Sequence, residues 1–338
     1  SGGPKQDAGA PKQNESIVDD HFAALRAWVL GGGEGPSPMQ GALQLVNDVY
    51  LMLSAAETVV QSGSPAPPSD VPSRVKAEAP RMPEPFKSMM QDLNQSSTAL
   101  LLGQTRTNIS KGIANSFGDF CAQAINGRYP FTPGSTRDVT ADDFAALFAP
   151  GGKIDQYFQQ TLAPWVDTST HPWSMKKVEG VPMSFAGSLI QFERADMIKK
   201  VFFRMGAQAG YRFEFKPVTM DPRMTRFTLD VDGQSVSYSH GPPLPKWVSW
   251  PAPNGTSIVR ITVEPAGASG SGWTTEGPWA LFRMFDKART ERTAQPEKMF
   301  VTFTLDGRDV RFEVTAGSVQ NPYALEELTR FQCPRSLG

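Results

Sequence analysis

Hydrophobic positions repeat with a helical period through the first half of the chain and with a strand period through the second. Over 39–61, Leu43, Val46, Tyr50, Leu53 and Val60 fall on one helical face, and Ala42, Leu45, Val49, Met52 and Val59 on an adjacent one. So wide an apolar surface predicts a helix in a bundle interior. A shorter helix is predicted over 16–30, where Ile17, Phe22, Leu25 and Val29 lie near helical spacing, and the glycine-rich run after it ends it. That run follows no predicted strand, so it reads as a loop rather than a phosphate cradle. SGSPAPPSDVPS breaks the next helix. Helical spacing resumes over 84–102 and is cleanest over 104–126, where Ile109, Ile113, Phe117, Phe120 and Ala124 step by three or four. Gly127 stands where a left-handed residue ends a helix. Thr140 is a predicted N-cap for a helix carrying Phe144, Leu147 and Phe148. Gly151-Gly152 separates it from one carrying Ile154, Tyr157, Phe158 and Leu162.

After residue 205 the period becomes two. Tyr211, Phe213 and Phe215 alternate with charged residues; Phe227, Leu229 and Val231 follow, then Val236 and Tyr238. Val259, Ile261 and Val263, then Val301, Phe303 and Leu305, then Val310, Phe312 and Val314 complete six predicted strands. Clean alternation means one buried and one wet face, as in antiparallel sheets. Asp232-Gly233 and Asp306-Gly307 predict tight hairpins, because both central residues of a type I′ turn need positive φ. Helices interrupt the strands near 188–204 (Ile190, Met197 and Val201 on one face), 277–289 and 321–329, the last with Asn321 as N-cap and Pro322 behind it. The fold class expected is α+β: an N-terminal helical bundle followed by an antiparallel β-sandwich-like domain with interspersed helices. The expected organisation is a disordered 1–15, a helical domain over 16–175 and a β-rich domain over 176–338.

Composition narrows the function. Lys plus Arg number 33 and Asp plus Glu 34, for a net charge of −1. This lacks the basic excess of a nucleic-acid binder. No run reaches the ~18 apolar residues of a membrane span. The chain opens on Ser-Gly-Gly rather than Met, which reads as the start of a fragment whose targeting information lies elsewhere. Two cysteines, Cys121 and Cys333, cannot make a four-ligand metal site alone. They are buried thiols in a reducing compartment, or a pair in an oxidising one.

Catalytic motifs are missing. His21, His171 and His240 have no metal-ligand spacing, there is no G-x-S-x-G elbow and no P-loop. GASGSGW at 267–273 reads as a flexible loop. The acidic pairs Asp19-Asp20, Asp142-Asp143 and Glu326-Glu327 lie at helix starts, where they favour the dipole. No enzyme activity, cofactor, metal or small-molecule substrate is expected. HGPPLPKWVSWPAPNG places Trp247 and Trp250 in a Pro-rich connection that cannot join a central sheet. Trp250 is expected to be the more buried. Tryptophan is enriched in protein-binding hot spots, which makes Pro245, Lys246, Trp247, Trp250 and Asn254 candidate partner-binding residues. Exposed sheet edges offer docking by strand addition. The alternative is a carbohydrate- or peptidoglycan-binding module stacking sugars on Trp247, Trp250 or Trp273.

Several blocks in order resemble the C-terminal region of the TssM/IcmF family of bacterial type VI secretion. They are Cys121, GRYPF at 127–131, DF…FAPGG over 143–152, FERADMIKKVFF at 192–203, LDVDGQ at 229–234, YSHGP at 238–242, Trp250-Pro251, GPWALFR at 277–283 and FQCP at 331–334. The resemblance spans roughly 40–338. It implies the periplasmic region of an inner-membrane-anchored protein, which joins a helical to a β-rich domain and acts as a scaffold. The implied partners are the outer-membrane lipoprotein TssJ, docked on the β-rich domain, the membrane protein TssL, the upstream membrane part of the parent protein, and further copies of the chain in a homo-oligomer. A periplasmic address also favours a Cys121–Cys333 disulfide.

Overall fold

The computed structural model describes residues 22–33, 35–60, 67, 69–176, 186–252 and 255–335. The expected disordered 1–15 and the first turns of the predicted 16–30 helix lie outside them. The chain forms two compact units, one of residues 1–112 with 175–184, the other of 113–174 with 185–338. The change of unit at 112/113 thus lies well ahead of the change of period after residue 205. The reason lies in packing: the helices after residue 113 are held by the strands that follow them.

The first unit is helical. It holds α1 (22–30), α2 (Pro38–Val60), α3 (Val71–Glu78) and most of α4 (Phe86–Ile113). Trp28, Leu45, Val49, Val71, Val75, Ala79, Met82 and Met90 form its core, with Trp28 and Phe86 rings 4.6 Å apart. The sequence pattern does not show α3, because Pro72 sits in a Pro/Ser run. Pro72 is however at the start of the helix, where its missing N–H costs nothing. The helices expected at 84–102 and 104–126 are α4, a π turn at Ala114–Gly118 and α5 (Asp119–Ile125).

The second unit contains α5, α6 (Ala141–Phe148), α7 (Lys153–Tyr157), two-residue strands β1 (Val166–Asp167) and, reaching its limit, β2 (Ser174–Met175), then α8 (Ala186–Phe202). Thr140 Oγ1 accepts from Asp143 N at 3.0 Å, and Gly127 at φ +66° follows the end of α5. Helix α8 buries Leu189, Phe192, Ala195, Ile198, Val201 and Phe202; of the face expected through Ile190, Met197 and Val201, Val201 is buried and the other two are half-buried.

Among the described residues nine strands follow in two antiparallel sheets. They are β3 (Tyr211–Met220), β4 (Arg226–Val231), β5 (Gln234–Tyr238), β6 (Lys246–Trp250), β7 (Ile258–Gly267), β8 (Gly270–Glu276), β9 (Arg289–Arg292), β10 (Lys298–Leu305) and β11 (Arg308–Ala316). One sheet has the order β6-β3-β11-β10-β9, the other β5-β4-β7-β8. Phe227 of the second sheet lies 5.6 Å from Phe303 and 5.4 Å from Phe312 of the first, so the inner faces pack as a sandwich. Both Asp-Gly turns have the positive φ pair expected, +54° and +87° at 232–233, +50° and +70° at 306–307. The GASGSGW stretch is a hairpin leading into β8 rather than a flexible loop. Its glycines hide the alternation, and Gly272 is needed because a Cβ there would sit 1.7 Å from Ile261 O. Helices α9 (Ala280–Asp286) and α10 (Glu326–Arg330) complete the unit. Asn321 is not the cap of α10; its carboxamide accepts from Tyr323 N at 3.0 Å in a turn that precedes the helix.

Rings join the helices to the sheets. Phe144 lies 5.1 Å from Phe148, 5.3 Å from Phe202 and 5.1 Å from Trp279. Trp279 Nε1 donates to Val139 O at 2.9 Å, and Arg283 donates to Asp138 Oδ1 and to Ser135 O while its guanidinium covers the Tyr129 ring at 4.3 Å. Gly277, at φ +99°, lets the chain pass Asp138, whose Oδ2 would be 2.6 Å from a Cβ. Cys121 and Cys333 are joined by a disulfide with Cα atoms 5.8 Å apart across a sequence separation of 212. Phe331 packs on Phe148 at 5.0 Å beside it.

Two predictions follow from this packing. In the chain-entropy model a loop of this length contributes about 5 kcal/mol. Cys333→Ser should lower unfolding stability by an amount approaching that in denaturant melts. The second concerns Asp155 and Lys199, which pair at 2.8 Å between α7 and α8. Burial opposes ionisation of both. The bonds from Lys199 and Gly151 nevertheless hold Asp155 below the ordinary carboxylate value, and bonds to Asp155 and Asp196 hold Lys199 above the ordinary amine value. The Asp155 contribution is present above about pH 3.9 and lost as pH falls through its depressed folded value; that of Lys199 is present below about pH 10.4 and lost as pH rises past its elevated one. Urea melts should show a stability gap between wild type and Asp155→Asn that is full at pH 7 and closes below pH 4.

Candidate partner-docking surface

The segment carrying Trp247 and Trp250 is not a loop. Its five central residues form β6, an edge strand paired with β3 in the register Tyr211↔Trp250, Phe213↔Val248 and Glu214↔Trp247. Prolines at 242, 243, 245 and 251 confine the strand to five residues, and its edge place agrees with their missing donors. Alternation sends Val248 and Trp250 into the core, where Trp250 Nε1 donates to Pro278 O at 2.8 Å. Trp247 points outward and is 41% exposed.

Trp247 is held rather than loose. The Arg212 guanidinium stands 5.1 Å from its ring. Gly317 lies against the ring, where a Cβ would be 3.4 Å from Trp247 Cζ3. Gly317 is itself fixed, its N–H donating to Arg212 O at 2.9 Å and its carbonyl accepting from Arg204 Nη1 at 2.7 Å. These bonds bring the end of α8, the start of β3 and the segment after β11 to one corner of the sandwich. Met205, Leu244 and Val319, on the segments that meet there, are largely exposed. Arg212 lies beside Trp247 and Glu214 directly across from it in the strand pair, so charges of both signs flank the ring. A half-exposed tryptophan held by its neighbours is the residue type enriched in protein-binding hot spots.

The strand edge is partly closed. Gln234 Nε2 donates to Ser249 O at 2.7 Å and Gln234 Oε1 accepts from Ser249 N at 2.8 Å. Ser249 therefore turns its backbone away from β3, and so does Trp247 two residues before it. Pro245 has no N–H to offer. Strand addition on β6 is limited to the backbone of Trp247, so this surface works through side chains.

Of the expected residues, Pro245, Lys246 and Trp247 are exposed, Lys246 at the strand end on the face opposite Trp247, while Trp250 is core and Asn254 lies outside the described residues. Arg204, Met205, Arg212, Gln234, Gly317 and Val319 were not foreseen; they come from four separate segments with no motif in common. The sugar-stacking row is not formed: Trp250 is buried, and Trp273 is on β8 of the other sheet with Lys287 Nζ 5.9 Å from its ring. A cleft of about 380 Å³ beside β9 contains Tyr129, Asp286 and Tyr323, with Tyr323 Oη donating to Asp286 at 2.9 Å. Burial, reinforced by Asp286, raises both phenols well above their ordinary value, so they stay protonated. His171 is taken by Glu193 at 2.7 Å and His240 by Met224 O at 2.6 Å. Among the described residues no three His, Cys, Asp or Glu side chains are grouped to hold a metal.

Residues 213–318, nearly the whole sandwich, match the family model of the type VI secretion protein IcmF C2-like domain. The chain is 35% identical over 346 aligned residues to the type VI secretion system component TssM1 of Pseudomonas aeruginosa, covering 98% of this chain and 31% of that protein. The chain belongs to the TssM/IcmF family. It spans about a third of that relative's length. The fold is shared with a chain of a type VI secretion system membrane core complex, at a TM-score of 0.71, 18% identity, 94% of this chain and 70% of the other. It is also shared with the C-terminal domain of the type VI secretion protein TssM from EAEC, at 0.57 and 19%, covering 68% and 98%. Among the described residues no helix is long and apolar enough to cross a membrane.

Removing the Gln234 carboxamide leaves the Ser249 backbone without its two bonds. Gln234→Ala should cost about 1–3 kcal/mol and raise amide exchange at Ser249 while the Tyr211 to Phe215 amides stay protected, read by hydrogen exchange.

Proposed function

We propose that this segment is a non-enzymatic periplasmic strut of the type VI secretion membrane complex. It docks the outer-membrane lipoprotein TssJ on the Trp247 corner of its sandwich. TssL and the upstream membrane part of the parent protein hold its other end, and several copies assemble. Membership of the TssM/IcmF family supports the setting. A disulfide across 212 residues suits an oxidising compartment such as the periplasm. The observation that carries the docking reading is the corner itself: an exposed Trp247 fixed by Arg212 and Gly317. Preorganisation of this kind lowers the entropy lost on binding.

Trp247→Ala should weaken TssJ binding by about thirtyfold, ~2 kcal/mol, in titration calorimetry, with Trp273→Ala as the control that leaves affinity unchanged. An unaltered affinity in Trp247→Ala would place the docking face elsewhere.

A further inference from the structure

The five-stranded sheet ends in β6 on one side and β9 on the other, and the two edges are finished differently. Prolines and the Gln234 carboxamide close most of β6. β9 contains no proline, and among the described residues its backbone pairs with β10 alone. Alternate groups of an antiparallel strand point away from its partner, so β9 presents free donors and acceptors on its outer side. Charged side chains commonly guard such an edge. Here they are engaged within the chain: Glu291 accepts two bonds from Arg311, and Arg292 pairs with Glu326. The cleft beside β9 is bounded by Pro130 and Pro133, by Leu325 and Leu328, and by Thr290 and Arg292 of the strand itself. Asp286 is its polar group. Tyr323 Oη donates to this carboxylate, and the Tyr129 hydroxyl bonds it as well. Among the described residues no cation pairs with it: neighbouring Arg283 is bound to Asp138, and Lys287 stands over the Trp273 ring. A carboxylate has about four acceptor sites, so the two phenols leave half of them open.

We propose that the β9 edge takes up an extended segment of a partner protein by strand addition, with an arginine of that segment lying in the cleft against Asp286. Two features that meet here choose the occupant. A free strand edge selects extended backbone, and a pocket beside it selects one of the alternating side chains. Apolar walls around one unpaired carboxylate suit a side chain with an aliphatic stem and a cationic head. A guanidinium adds a planar fork that matches a carboxylate with two parallel bonds. An acidic side chain would meet the charge of Asp286, and a neutral one would leave it unpaired. The edge lies at the opposite end of the sheet from β6, so the proposal stands apart from the Trp247 corner.

The probe is the peptide acetyl-Thr-Val-Arg-Val-Thr-amide, added to the full chain in the absence of TssJ. It should slow amide hydrogen exchange within Arg289–Arg292 and leave the Lys246–Trp250 amides unchanged. Asp286→Asn keeps an oxygen acceptor for the phenols and removes the charge. It should weaken the peptide about tenfold in titration calorimetry, with the melting temperature unaltered. Citrulline in place of the peptide's arginine should cost the same factor with the unaltered chain and nothing further with Asp286→Asn. No binding, binding that leaves the β9 amides unprotected, or affinity indifferent to both the Asp286→Asn change and citrulline would each overturn the proposal. Trp247→Ala should bind the peptide as the unaltered chain does, and its TssJ affinity has no bearing on this edge.

Discussion

The contact on which the second unit depends is the insertion of the GPWALFR turn and helix into the GRYPF segment. Trp279 and Arg283 together satisfy Val139 O, Ser135 O and Asp138 and cover the Tyr129 ring. Half-buried, the Asp138–Arg283 pair is matched in charge and in hydrogen bonds, the condition under which such a pair is tolerated in a core. Around it the Phe144 ring lattice runs from α6 and α8 to α9 and onward to Tyr211 and Phe213 of the sheet. Helices and sandwich are therefore one packed body within this unit. The disulfide then ties the last segment of the chain to α5.

This rigidity bears on function. Under the proposed docking role, the Trp247 corner must hold its position relative to the core. The Trp247 corner is built from Gly317, Arg212 and Arg204, all on elements fixed by the ring lattice and the five-stranded sheet. The Gln234 clip serves the same end by a different route. It occupies the edge backbone of Ser249, so β6 offers side chains to a partner and little free ladder to an unrelated strand.

The helical unit differs in kind. Its core is built from small and aliphatic side chains such as Ala42, Val49 and Val75 with a single tryptophan, and α2 leaves Leu43, Val46, Tyr50 and Leu51 exposed.

Read alone, the sequence was enough for the helical and strand halves, the six long strands, both Asp-Gly hairpins, the Thr140 cap and the family. These are local matters: a period of 3.6 or 2, a turn needing positive φ, and blocks of residues in order. It missed β8 and β9 because glycines and charges carry no alternation, and it took β6 for a loop because flanking prolines masked five pairing residues. The expectation that Trp250 is more buried than Trp247 held; only the tertiary structure decided that the helices after residue 113 group with the sheets, that the Trp247 segment is a strand held by Arg212 and Gly317, and which residues of α2 are exposed. Each of those depends on contacts between residues far apart in sequence, such as Trp279 with Val139 or Gly317 with Trp247, and pattern along a chain cannot tell which of two apolar faces will find a partner.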